Sequence, residues 1–368
     1  MNAPADPVGP AAHAGPAAHA GRTAPVVAVT GGTGFLGAHT VAALLAAGAR
    51  VRLLVRDPAR VAPALAPLGL DPDAVRTVVG DVTDADAARR VCQGADAVLH
   101  LGSVYSFDRR RREDIARTNV LGTETVLRAA VRSGAGTVVH VSTVGALIPS
   151  ADPELHADSA VGRPAEPYLA SKAACEHVAR QHRHEGAPVR IVYPPALLGP
   201  HDPRLGDQTG RLRDALRGLM PLWPTGGFPL GDVRDTAAVL AGLATAPAAD
   251  TPDRIFAPNH WLSTADYLTA LRAATGRALP AARLPGRAML PAARLADVLQ
   301  RGWPWHIPAE YGAAYTCVHA VPVAKAATAG GPAPRPVEET MAETAHWLYR
   351  AGFLTQRQIG RAAERTTR

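Results

Sequence analysis

The sequence predicts an α/β chain, a doubly wound parallel sheet followed by a smaller C-terminal lobe. Two observations carry the prediction. Short, continuously apolar runs alternate with helix-period segments from residue 25 to residue 194, which is how parallel strands buried on both faces and their crossover helices read. The first run leads straight into Gly31-Gly32-Thr33-Gly34-Phe35-Leu36-Gly37, a glycine-spaced loop of the kind that joins a first strand to a first helix. Right-handed crossovers then place helices on both faces of the sheet.

Pro25 to Thr30 forms the first strand, and a helix runs from Leu36 to Ala47 with Gly48 as its left-handed stop. Arg50 to Val55 is the second strand. Asp57-Pro58 opens the next helix, Asp as N-cap and Pro at the first helical position. Val75 to Val79 is the third strand, and Gly80 to Asp84 a turn into a helix. Ala97 to Leu101 is the fourth strand. A helix spans Thr118 to Ser133, the fifth strand Thr137 to Ser142, a helix Tyr168 to His182, and the sixth strand Val189 to Val192. The cationic His182-Arg183-His184 suits a helix C-terminus.

Beyond Pro194, proline and glycine break the alternation. A helix over Asp232 to Leu243 and a strand over Arg254 to Ala257 return to the first domain. The expected organisation is a disordered tail at 1–23, a dinucleotide-binding domain at 24–194 joined by 232–257, a substrate-binding lobe from 195–231 and 258–352, and a C-terminal tail at 353–368, polar and frayed from Thr355.

Composition narrows the function classes. The net charge of +7 favours anionic partners such as nucleotides, but no zinc-finger or aromatic RNA-binding pattern accompanies it, so no nucleic-acid partner is expected. The one dense basic run, Arg109 to Arg112, is followed by Glu113 and Asp114 and reads as a solvated loop; its sharper reading is a contact to an anionic substrate tail. Cys92, Cys175 and Cys317 are far apart and form no C-x-x-C pair, which predicts no disulfide framework and no metal site and fits a cytoplasmic location. No stretch reads as a secretory signal or a membrane span.

The glycine loop carries cofactor chemistry. Gly31 permits the tight turn, Gly34 lets backbone amides approach a pyrophosphate, and Gly37 lets helix and strand pack closely. Gly31, Thr33, Gly34, Phe35, Leu36 and Gly37 thus make a phosphate-facing helix start. An acid some twenty residues further on would hold the ribose of NAD. Asp57 stands at that distance, yet it is accounted for as a cap. Arg56 beside it suits a 2′-phosphate, with Arg52 and Arg60 adding charge, so NADP is the predicted cofactor and NAD the alternative. Asp81 and Val82 read either as contacts to adenine or as a helix start.

Thr143, Tyr168 and Lys172 carry the second signal. Tyr168 and Lys172 lie four apart on one helix face. A nearby ammonium is expected to lower the phenol from its ordinary value and make it a proton-transfer group near neutrality. The Thr143 hydroxyl, at the end of the fifth strand, then holds the substrate oxygen while hydride moves at carbon.

TGGTGFLG (30–37), GDVTD (80–84), HLGS (100–103), NVLGT (119–123), VSTVGA (141–146), YLASKAACE (168–176), VYPPALLGP (192–200) and DVRDTA (232–237) occur in one order. In this the chain resembles the extended short-chain dehydrogenases/reductases, the NAD-dependent epimerase/dehydratase family with its Rossmann fold. VRLLVRDP (51–58) is most similar to the dihydroflavonol-4-reductase-like branch, which commonly uses NADP. The resemblance implies Tyr168 as general acid/base, Lys172 as its activator and Thr143 as the triad hydroxyl, with Ser142 the neighbouring alternative. It further implies that Leu101 and Gly102 run along the cofactor, that Ser103 and Tyr105 border substrate, and that Pro194 to Ala196 meet the nicotinamide. Asn119 would shape the active-site helix or cap it. A homodimer is implied by the resemblance alone. Ala146-Leu147 stand where sugar-nucleotide epimerases carry an aromatic, which weakens that reading.

The predicted function is an NAD(P)-dependent oxidoreductase, an NADP(H)-dependent reductase of a ketone or aldehyde. The alternatives are a nucleotide-sugar epimerase or dehydratase with retained NAD, a hydroxysteroid dehydrogenase suggested by Met289, Leu290, Trp303 and Trp305 in the smaller lobe, and a non-catalytic dinucleotide sensor.

Overall fold

The computed structural model describes residues 24–104, 112–245, 252–299, 311–324 and 333–364. The N-terminal 23 residues, Tyr105, Arg109 to Arg111, Trp303 and Trp305 lie outside the described residues.

The chain begins β1 (Val26–Thr30), α1 (Phe35–Ala46), β2 (Arg50–Val55), α2 (Val61–Leu65), β3 (Val75–Val79), α3 (Ala85–Cys92) and β4 (Ala97–His100). It continues through α4 (Arg112–Arg132), β5 (Thr137–Val141), α5 (Pro167–His184), β6 (Val189–Tyr193) and β7 (Ala196–Leu198). There follow α6 (Asp207–Leu216), β8 (Leu222–Pro224), β9 (Gly227–Asp232), α7 (Val233–Thr245), β10 (Arg254–Phe256) and β11 (His260–Ser263). The remainder is α8 (Thr264–Thr275), β12 (Ala282–Leu284), α9 (Gly286–Leu299), α10 (Tyr311–His319), α11 (Val337–Arg350) and α12 (Gln356–Ile359).

Seven parallel strands form the main sheet in the order β10-β6-β5-β4-β1-β2-β3. The strand order reverses between β1 and β4, and a crevice opens outside the strand ends at such a switch point. Alternating side chains feed two cores. Ala28, Val98 and Val138 join the apolar cluster under α3, α4 and α5, while Val27, Val29, Leu99 and Val139 join the one under α1 and α7. Continuous apolar strands follow directly from this, since both faces are covered.

A third cluster holds Trp223, Phe228, Tyr267, Leu271, Met341 and Leu348 between β9 and helices α6, α8 and α11. It is edged by a three-stranded sheet, β11-β9-β7, and a parallel pair, β12-β8. These strands are only three to six residues long, and β8 and β9 carry Pro or Gly, so no periodicity is legible in the sequence.

Two expectations are corrected. The helix read from Thr118 begins at Arg112, and its first turn carries Glu113 and Asp114, which favour a helix N-terminus. Asn119 therefore lies inside the helix and is no cap. The segment from 353 is not a polar fringe: Leu354, Ile359 and Ala362 are buried in the third cluster, and Thr355 and Gln358 form a capping box that starts α12. Three apolar side chains spaced among polar ones were enough to dock it.

Candidate active site

The glycine loop sits at the β1/β4 switch point. Gly31 has φ +76°, and a Cβ there would fall 2.8 Å from the Leu101 carbonyl carbon and the Gly102 nitrogen. A Cβ on Gly37 would fall 2.0 Å from the Gly31 carbonyl oxygen. Both positions are therefore closed to side chains by backbone. Gly34 is the N-cap of α1, with no side-chain cap and no acid in the first turn. A Cβ on it would meet only the Gly31 oxygen, at 3.3 Å. The amides at Phe35, Leu36 and Gly37 thus begin a 12-residue helix without an internal counter-charge, which is an arrangement for an anion. Thr33, Phe35 and Leu36 are half-buried along this turn.

The neighbouring strand end is locked to it. Thr30 Oγ1 accepts from the Gly102 amide at 3.0 Å and shares a 2.8 Å hydrogen bond with His100 Nδ1. His100 Nε2 lies 3.2 Å from Thr123 Oγ1. Burial, with the Lys172 charge, holds His100 down to about 3, so the ring is neutral. Val82 packs over the bare faces of Gly102 and Gly122, its methyls 3.0 and 2.7 Å from where Cβ atoms would stand. Leu101 and Gly102 are half-buried, whereas Ser103 is exposed.

The basic side chains beyond β2 divide. The Arg56 side chain is 67% exposed and lies 3.9 Å from the Asp81 carboxylate. Arg52 is corrected: its Nη1 donates to the carbonyls of Val91 and Gln93 at 3.0 and 2.7 Å, closing the end of α3 instead of facing a nucleotide. Arg60 pairs with Asp57 at 3.6 Å, and Asp57 caps its turn through the Ala59 amide at 3.0 Å. Asp81 is not the N-cap of α3; that is Asp84, which accepts from Asp86 and Ala87. Asp81 instead accepts from the Thr83 amide and hydroxyl at 2.9 and 2.7 Å.

At the far side of the crevice, Glu166-Pro167 starts α5, with the Glu166 carboxylate accepting from the Leu169 amide at 2.7 Å. This start puts Tyr168 and Lys172 on the face turned to the end of β5. Both are buried, at 8% and 5% exposure. The Lys172 ammonium donates to the Val141 carbonyl at 2.8 Å, and no carboxylate lies within ion-pair distance of it among the described residues. Burial holds its pKa below the usual lysine value. The Tyr168 phenol is pushed up, first by burial, then by the charges of Glu166 and Asp207. The lowering expected from Lys172 is not found: burial and the two carboxylates set the direction, and the ammonium is directed at a main-chain carbonyl.

Thr143 Oγ1 accepts from the Gly145 amide at 3.2 Å and caps the short helical turn Val144–Leu147. Its hydroxyl hydrogen remains for another acceptor. Ser142 Oγ is buried and has no hydrogen-bond partner among the described residues. The Val144 amide donates to the Pro194 carbonyl at 3.1 Å, tying the segment at 194–196 to this turn. Asn119 accepts from the Val104 amide at 2.7 Å and donates to the Ser171 hydroxyl at 2.9 Å, so it stitches the loop after β4 to α5. Glu166 and Asp207 were not singled out from the sequence. The Glu-Pro start of α5 was a legible signal for the first; nothing local marks the second, which arrives from α6 by tertiary folding.

Among the described residues no group of three His, Cys, Asp or Glu side chains is placed to hold a metal, and no helix is long and apolar enough to cross a membrane.

A family model described as the NAD dependent epimerase/dehydratase family matches residues 27–257. Sterol demethylase protein B of Methylococcus capsulatus is 31% identical over 275 residues, 74% of this chain and 81% of that one. A putative dihydroflavonol 4-reductase of Synechocystis is 34% identical over 70% of this chain and 74% of its own. A 4-hydroxy-2-methyl-3-oxo-4-farnesyl-3,4-dihydroquinoline-1-oxide ketoreductase of Stigmatella aurantiaca is 31% identical over 74% and 80%. The solved structure of a DesIV double mutant, a dTDP-glucose 4,6-dehydratase from Streptomyces venezuelae with NAD bound, superposes with a TM-score of 0.59 at 29% identity, covering 71% of this chain and 84% of that one.

Proposed function

The chain belongs to the NAD dependent epimerase/dehydratase family and is an NAD(P)-dependent oxidoreductase, and on that premise we propose that it is an NADP(H)-dependent reductase of a ketone or aldehyde. The observation that carries the site is the buried Lys172 ammonium, held by a main-chain carbonyl and four residues from Tyr168. An interior ammonium without a carboxylate is costly to keep, and perturbed groups of this kind cluster where chemistry is done.

The residues present fit a dinucleotide. Its pyrophosphate would lie against the uncapped start of α1, its ribose against Tyr168 and Lys172, and its nicotinamide near Pro194 and Ala196. The bound dinucleotide supplies the hydride. Tyr168 gives the proton to the carbonyl oxygen of the substrate, and Thr143 donates a hydrogen bond to that same oxygen. Lys172, four residues on along the same helix and likewise buried, would offset the charge left on the phenol as the proton departs. Ser103, exposed at the end of the loop after β4, borders the substrate.

NADP is favoured because Arg56 is exposed at the end of β2, while Asp57, the acid suited to an NAD ribose, is committed to capping and to Arg60. The relatives named as a dihydroflavonol reductase and a ketoreductase support the direction of the reaction.

Fluorescence titration with NADH and NADPH, followed by a carbonyl panel with the tighter cofactor, tests the proposal. Tighter binding of NADPH and its oxidation on adding a ketone are expected. Failure to bind either dinucleotide, or retention of NAD with no net turnover of any carbonyl, overturns it.

A further inference from the structure

A cavity of about 670 Å³ opens in the C-terminal lobe, between α6, β8, α9 and α10. Small-molecule sites span roughly 300–1,000 Å³ and are lined mainly by apolar groups with a few placed polar ones. This cavity has that division built into its walls. One wall is α6, which contributes Asp207, Arg211, Arg213 and Asp214. The opposite wall is apolar, with Met220, Trp223, Phe228 and Met289 among its side chains.

Two features tie the cavity to the proposed reaction site. Asp207, at the start of the polar wall, is one of the charges that act on Tyr168. Ala293 and Ala314 line the cavity and also belong to the apolar cluster that contains Tyr168. The polar wall is, moreover, balanced in charge: it carries two arginines and two aspartates, with Arg213 on Asp214 at 2.9 Å and Arg211 donating to Gln208 at 3.0 Å. Such a wall offers no net positive field for a nucleoside diphosphate.

The apolar wall also runs out to the surface. Ala288, Ala292, Leu295 and Leu299 fall at spacings of four, three and four on one face of α9. The first two line the cavity, and the last two are 58% and 52% exposed. Leu222 and Leu284, on the paired strands β8 and β12, line the cavity and are half-exposed. Exposed apolar groups gathered at one opening mark a binding groove.

We propose that this cavity binds the hydrocarbon body of the substrate, so that the enzyme reduces a carbonyl carried on an extended apolar skeleton. The carbonyl end lies toward Asp207 and Tyr168, and the apolar body lies along β8, α9 and α10. The inference rests on the reductase reading above for the identity of the reacting group, but the apolar site stands on the cavity walls alone.

The test uses the full chain and two readouts. Binding is read by the uncharged dye N-phenyl-1-naphthylamine, displaced by 2-octanone, 2-decanone and 2-dodecanone, or by UDP-glucose. Turnover of the same ketones is read with NADPH. Displacement should tighten about fourfold per added methylene until the cavity is filled, and UDP-glucose should displace nothing. Ala292→Trp, an exposed lining position, should weaken the ketones at least tenfold and leave NADPH binding unchanged; Ala288→Trp is the second filling variant. Failure of every 2-alkanone to displace dye, displacement by UDP-glucose, or indifference to both tryptophans overturns the apolar site. Dye displacement that persists while no carbonyl is turned over sinks the reductase reading and leaves the apolar site standing.

Discussion

The Lys172 ammonium and the Val141 carbonyl meet at 2.8 Å, which fastens α5 to the carboxyl end of β5. The bond fixes a buried charge beside the end of β5, and it makes the role proposed for Lys172 separable from that proposed for Tyr168. Lys172→Met should lower kcat about 10²-fold or more and also weaken NADPH. Tyr168→Phe should lower kcat by about 10²–10⁴-fold with NADPH affinity preserved. Steady-state kinetics beside a fluorescence titration distinguishes the two, and full activity in Tyr168→Phe would end the mechanism.

Arg56 and Arg52 should behave oppositely although they lie four residues apart. The Arg56 side chain stands exposed beside Asp81 and is expected to meet a 2′-phosphate, so Arg56→Ala should weaken NADPH about tenfold or more and leave NADH unchanged. Arg52 binds the last carbonyls of α3. Arg52→Ala should cost about 1–3 kcal/mol of stability with the NADPH-to-NADH preference intact. Chemical denaturation and paired titrations give both quantities.

The glycine loop admits a sharper steric prediction. Because a Cβ on Gly37 would lie 2.0 Å from the Gly31 oxygen, and that oxygen is backbone, Gly37→Ala must push α1 from β1. Loss of NADPH binding with a lowered thermal midpoint is expected. Gly48→Ala is the control, since a Cβ there meets nothing within 4 Å and only its φ of +78° is strained; it should lower the midpoint without touching the cofactor. Equal loss of NADPH binding in both variants would contradict the packing role.

Buried neutral histidines make the fold sensitive to acid. Burial depresses His39 to about 4 and His100 to about 3. The unfolded chain binds a proton near pH 6.5, so the folded state is favoured above that value. Stability should fall as pH drops from about 6.5 and level off only below the folded pKa values. His39 alone contributes about 3 kcal/mol across that window. Urea unfolding at pH 7.5 and pH 5 should show the drop, and His39→Gln, which cannot titrate, should make the curve shallower. An unfolding midpoint indifferent to pH over this range would refute the assignment.

The sequence by itself determined the sheet and one edge of the site. Parallel strands buried on both faces leave uninterrupted apolar runs, and a loop that must pass backbone against backbone leaves glycines at Gly31 and Gly37; both are local demands, readable one residue at a time. The four-residue step from Tyr168 to Lys172 was likewise visible, because a helix repeats at that interval. Tertiary structure decided the rest. Only folding brings Asp207 from α6 toward Tyr168, turns Arg52 onto α3 while Arg56 faces solvent, and docks Leu354, Ile359 and Ala362 into the third core. It also reversed the expected shift of Tyr168, because the pKa of a group depends on how much water its surroundings exclude. That quantity is set by every element packed around it and is written in no single stretch of sequence.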